Sequence, residues 1–100
     1  MATSKEFKNF VLEQLNLLDE INSRPMMGGY LFYYRGVLFG GLYGDRFLVK
    51  KVEETLKYQL QEEIPYSGAK PMYLVDELDH KELIKQIVLD TYEGLIKTLK

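Results

Sequence analysis

The chain has no cysteine. Disulfides, thiolate chemistry and cysteine-ligated zinc are therefore excluded. A secreted chain of this length leans on such staples, so a reducing cytoplasm is the expected location. Histidine is nearly absent too: His80 stands alone. A transition-metal site needs several ligands at matched spacing, so no metal and no other cofactor is expected. His80 reads as an exposed residue at the start of a helix. No stretch approaches the roughly 18 uninterrupted apolar residues of a membrane span. The N-terminus, MATSKEFKNF, is polar and charged where a signal peptide would be apolar. Neither a membrane nor a leader is expected. Charge of one sign is scarce as well: the net of −2 argues against a dedicated nucleic-acid binder.

The usual catalytic patterns are missing. YSGAK around Ser67 is not a G-x-S-x-G elbow. DELD, residues 76–79, lacks the alternating acids and central glycine of a calcium loop. The Gly28-Gly29 and Gly40-Gly41 pairs have no lysine or hydroxyl after them, as a phosphate loop requires. The chain is expected not to be an enzyme.

What is present is an aromatic, glycine-broken run, RPMMGGYLFYYRGVLFGGLYGDRFLVKK, residues 24–51. It holds five basic residues against one acid, whereas residues 52–100 hold six basic and ten acidic ones. Tyr34-Arg35-Gly36-Val37 reads as a tight turn with Gly36 at positive φ. Tyr43-Gly44-Asp45-Arg46 reads as a hairpin turn with glycine first, as type II′ prefers. Three antiparallel strands follow, at about 26–34, 37–43 and 46–50 by alternation.

Two-residue loops set Phe32 opposite Phe39, Tyr30 opposite Gly41 and Gly28 opposite Tyr43. They also set Leu42 opposite Phe47 and Gly40 opposite Val49. One face then holds Met27, Leu31, Tyr33, Leu38, Leu42, Phe47 and Val49, and is assigned to the core. The other holds Tyr30, Phe32, Tyr34, Val37, Phe39, Tyr43 and Leu48, edged by Arg46 and Lys50. That second face is also apolar, where a solvated antiparallel face would be polar. The glycines are read as bare backbone under facing rings.

Around this ribbon, Thr3 and Glu6 form a capping-box pattern for a first helix with Phe7, Phe10, Val11, Leu15 and Leu18 inward. INSRP reads as a break. Residues 52–62 read as a short helix with Val52, Leu56 and Leu60 inward. EIPYSGAKP reads as a loop with a short edge strand near Tyr66, and MYLVD as a strand. Asp79, with Glu82 at capping-box distance, begins a last helix whose stripe is Leu83, Ile84, Ile87, Val88, Leu95 and Leu99. The fold class is α+β: a sandwich of helices on a mainly antiparallel sheet.

The apolar second face leads to an interaction module. Either a partner covers it or one of the chain's own helices does. The alternative function is nucleic-acid binding. RGVLFGGLY echoes the basic-glycine-aromatic strand of RNA-recognition motifs, with Tyr30, Phe32, Phe39 and Arg46 as the stacking and charged face.

The run RPMMGGYLFYYRGVLFGGLYGDRFLVK resembles the signature of the TfoX N-terminal domain family, through Arg24, Met26, Gly28, Gly29, Tyr30, Tyr33, Gly36, Asp45 and Lys50. PYSGAKPMYLVDELD continues the likeness with Gly68, Lys70 and Met72. The resemblance covers nearly the whole chain and implies one domain over 1–100, as in short stand-alone members without the second, helical domain of competence regulators. It implies an α-β(3)-α-β(2)-α two-layer fold like that of secretion chaperones, which are often dimers. It also implies a regulatory, non-enzymatic role with no catalytic residues. The partner is then a protein, a transcription regulator or a second copy. The expected contact residues are Arg24, Tyr30, Phe32, Tyr34, Phe39, Tyr43, Arg46 and Lys50.

Overall fold

Ser4 opens the first helix, α1 (Lys5–Gln14): its hydroxyl accepts the Phe7 N–H at 3.0 Å. Thr3, the cap expected from the capping-box spacing, does other work. Its own N–H donates to the Gly28 carbonyl at 2.7 Å, and the residue is buried there. The computed structural model describes residues 2–99, so the two end positions of the expected 1–100 domain lie outside the described residues. Val11, Leu15 and Leu18 point inward as expected, but Phe10 is exposed. The inward stripe runs through Phe7, Val11 and Leu15, four residues apart, and Phe10 flanks it.

The segment expected to break the chain is a strand. Ile21–Met26 forms β1, and Gly29–Tyr34 forms β2. The link is Met27-Gly28, with φ of 46° and 85°, the two positive values of a type I′ hairpin turn. Met27 is therefore 97% exposed at a turn tip rather than on the core face. β3 (Val37–Tyr43) and β4 (Arg46–Val49) complete a four-strand meander. Its other two turns have positive φ at Arg35 and Gly36, and at Gly44. A 3₁₀ turn over Glu53–Tyr58 follows, then β5 (Glu62–Glu63), β6 (Met72–Leu74) and the long α2 (Lys81–Lys97). The edge strand near Tyr66 is in fact β5, a few residues earlier. The sheet order is β1-β2-β3-β4-β6-β5, with every neighbouring pair antiparallel. The α+β class holds, with four strands rather than three before the middle helical turn.

The register of β2 on β3 carries the main departure. Tyr34 pairs with Val37 and Tyr33 with Leu38, as a straight ladder requires. The ladder then slips by one, so Phe32 pairs with Gly40, Leu31 with Gly41 and Tyr30 with Leu42. Phe39 is the extra residue of a β-bulge, and every side chain beyond it changes face relative to a straight ladder. The second hairpin keeps the expected pairs, Leu42 with Phe47 and Gly40 with Val49. The real core face thus joins one half of each face read from the sequence. It takes Phe32, Tyr34 and Phe39 from one, and Leu42, Phe47 and Val49 from the other, all buried.

Gly40 and Gly41 are required at the bulge for a reason other than facing rings. A Cβ on Gly40 would run into the Leu48 carbonyl oxygen, and one on Gly41 into that of Tyr30. The neighbouring backbones approach too closely on both sides for any side chain.

Both helices pack on this core face. Val11, Leu15 and Leu18 of the first helical segment and Ile84, Ile87 and Val88 of α2 join the same apolar cluster. Phe32 meets Phe47 edge-on with centroids 5.7 Å apart, and Tyr34 meets Tyr92 of α2 at 5.0 Å. In the Glu53–Tyr58 turn, Thr55 is fully buried and Leu56 is 59% exposed, the reverse of the α-helical expectation. A 3₁₀ helix has three residues per turn, which aligns Val52, Thr55 and Tyr58 instead of Val52, Leu56 and Leu60. Tyr58 donates to Asp90 of α2 at 2.5 Å, and Lys57 reaches the same carboxylate at 3.1 Å. Burial first, and the Asp90 carboxylate second, push the Tyr58 phenol up to about 12. His80 is the N-cap residue of α2 without a side-chain cap bond, so Asp79 does not play the expected role. Leu99, at the helix end, is 71% exposed.

Candidate interaction face

Among the described residues, no helix covers the opposite side of the sheet, although Leu48 of β4, which pairs with Gly41 and Leu74 on that side, is fully buried. Alternation from the observed pairs puts Arg24 and Met26 of β1, Leu31 and Tyr33 of β2, Leu38 and Tyr43 of β3 and Leu74 of β6 on that side. None of these belongs to the core cluster or packs against it. Arg24 is exposed and the others are half-buried. The Arg24 guanidinium lies over the Tyr33 ring, 5.8 Å from its centroid.

One segment does cross this face. Arg46, on β4, reaches over to β5, two strands away in the sheet. Its guanidinium donates to the Glu63 carboxylate at 2.9 Å and to the carbonyls of Ile64 and Pro65 at 3.1 and 3.0 Å. A planar fork of donors suits such a three-way clasp. It draws residues 64–71 up as a strap. Tyr66, in the strap, meets the Tyr43 ring edge-on at 6.4 Å. Partial burial, and then the neighbouring Tyr66 phenol, raise the Tyr43 phenol above its ordinary value.

A groove flanks the strap on each side. The first, of about 790 Å³, lies between Met26, Met27 and Gly29 of the β1–β2 hairpin and Tyr43, Arg46, Pro65 and Tyr66. The second, of about 600 Å³, lies between Lys50, Lys51 and Met72 and the far side of the strap, with Lys70 at its rim. Apolar walls with a few polar groups suit a bound side chain or short segment. Among the described residues, no cluster of three or more histidine or acidic side chains is placed to hold a metal. No described helix is long and apolar enough to cross a membrane.

Four of the eight expected contact residues, Arg24, Tyr43, Arg46 and Lys50, lie on this outward side. The other four do not. Phe32, Tyr34 and Phe39 are buried beneath the helices at 3% exposure or less, so they cannot meet a partner. Tyr30 is half-buried on the helix side, under the Lys8 ammonium at 4.8 Å. For these residues the chain's own helices supply the cover. The bulge is the reason, and the same shift disperses the stacking stripe on which the alternative reading, nucleic-acid binding, rests. Sequence reasoning assigned Tyr33 and Leu38 to the core face, and left Tyr66 and Lys70 in a loop without naming them as contact residues. The signal was the Gly40-Gly41 pair inside a strand pattern, which marks a bulge as readily as a facing ring.

A model of a protein family, described as the TfoX N-terminal domain, matches residues 13–94. The match takes in all six strands, both grooves and most of α2. No curated protein matches the chain.

Proposed function

The chain belongs to the TfoX N-terminal domain family, and from that membership we propose that it is a non-enzymatic regulatory module that holds a protein partner on the outward side of its sheet. The observation that carries this reading is the one-sided packing: Leu31, Tyr33, Leu38 and Leu74 form a partly exposed apolar surface that no described helix covers. Contiguous apolar surface rimmed by polar groups marks an interaction site. The family resemblance points to a transcription regulator as the partner. No catalysis is assigned. Among the described residues, Ser67 sits on the strap without a base in hydrogen-bond contact, and His80 has Glu77 as an ionic neighbour at 3.6 Å.

Affinity capture from the native cell tests this. Leu38→Glu and Tyr33→Glu, on the outward side, are expected to lose the captured partner while keeping the fold by circular dichroism. Capture unchanged by both substitutions contradicts the reading.

A further inference from the structure

The cations of the outward side are not equally engaged. Arg46 is held by Glu63 and Lys51 by Glu62, at 2.9 and 3.0 Å. Arg24, Lys50 and Lys70 have no carboxylate within ion-pair distance among the described residues. Lys50 and Lys70 stand at the same groove, the one of about 600 Å³, whose remaining walls include Tyr66, Pro71 and Met72. The acids beside the groove, Glu62 and Glu63, are those already held by Lys51 and Arg46. A groove with two unmatched ammonium groups and apolar walls complements carboxylates that flank an apolar side chain. It complements a copy of itself poorly, because a two-fold contact here would face lysines with lysines.

Resting on the reading above, we infer that the Lys50–Lys70 groove binds an acidic segment of the partner protein, with carboxylates on the two lysines and an apolar side chain against Tyr66 and Met72. Arg24 extends the same sign of charge to the far edge of the sheet. Affinity for such a segment depends on charge and therefore weakens with salt.

The test uses a fluorescent synthetic peptide of alternating glutamate and leucine, its glutamine counterpart, and a single-stranded oligonucleotide. The wild-type chain is expected to bind the acidic peptide about tenfold more tightly than the glutamine peptide. Lys50→Glu/Lys70→Glu is expected to remove about that factor, since it replaces two attractive pairs by repulsion. Lys5→Glu/Lys85→Glu changes net charge equally but on the two helices, and is expected to leave binding unchanged. Equal loss in both double variants overturns the site, as does tighter binding of the oligonucleotide. A wild-type dimer that Lys50→Glu/Lys70→Glu turns into monomer also overturns it, because a second copy would then fill the groove. Failure of the peptide with capture still lost in Leu38→Glu rejects the acidic chemistry alone. Failure of both rejects the interaction reading itself.

Discussion

Phe32 stands opposite Gly40, one residue further along β3 than Phe39. This offset sends the Phe32 and Phe39 rings into one core, 6.2 Å apart, and turns Leu31 and Tyr33 outward. A straight ladder would have done the opposite at this end of the sheet.

The two registers therefore predict opposite costs for adjacent substitutions. Phe32→Ala is expected to destabilise the fold by about 3–5 kcal/mol, because it empties a fully buried site. Leu31→Ala, at a partly exposed site, is expected to cost about 1 kcal/mol. Urea denaturation of both variants checks this, and a larger loss for Leu31→Ala would restore the straight register.

The bulge itself rests on Gly40. An added Cβ would collide with the Leu48 carbonyl and lie 2.9 Å from the Val49 Cα. Both are backbone atoms of a buried strand and cannot swing aside. Gly40→Ala is expected to lose about 1–3 kcal/mol, read as a lower urea midpoint. A neutral result would mean that the strands do not approach this closely.

Much of the fold was legible in the sequence. Gly36 and Gly44 marked their turns, and MYLVD and the Leu83–Leu95 stripe announced β6 and α2. β1 was not legible. Asn22, Ser23 and Pro25 are poor strand residues, tolerated because β1 is an edge, where a proline discourages further pairing. The Thr55 face was hidden because a 3₁₀ turn obeys a three-residue period. Half of the candidate site was legible. Arg24, Tyr43, Arg46 and Lys50 lie on turns, edges or strand ends that the bulge leaves outward. Phe32, Tyr34 and Phe39 were misplaced because a slip of one residue exchanges the faces of a ladder whose two sides are equally apolar.

The strap depends on Arg46. Arg46→Ala is expected to speed amide hydrogen exchange across residues 64–71 by at least tenfold while leaving β3 and α2 protected, since local opening is independent of global unfolding. Arg46→Lys is expected to restore little, because an ammonium lacks the fork that meets one carboxylate and two carbonyls together. Unchanged exchange in the alanine variant would show that the strap is held by something other than this clasp.

Tyr58 gives a pH signature. Its phenol is raised from about 10 to about 12 in the folded chain. Between these values the unfolded chain loses the proton and the folded one keeps it, so stability falls as pH rises. The contribution is complete below about 10 and declines toward about 12. Tyr58→Phe is expected to remove this part of the slope, measured as urea midpoints on either side of pH 10. A slope identical in the variant would place the effect on another tyrosine.

Hydroxyl-radical labelling of the intact chain, read residue by residue, tests most directly which side of the sheet is available to a partner. Rapid modification of Met26, Tyr33 and Met72, with Phe32, Phe39 and Phe47 silent, is the predicted pattern. Labelled Phe32 and Phe39 beside a protected Tyr33 would contradict it, and with it the partner surface proposed for this chain.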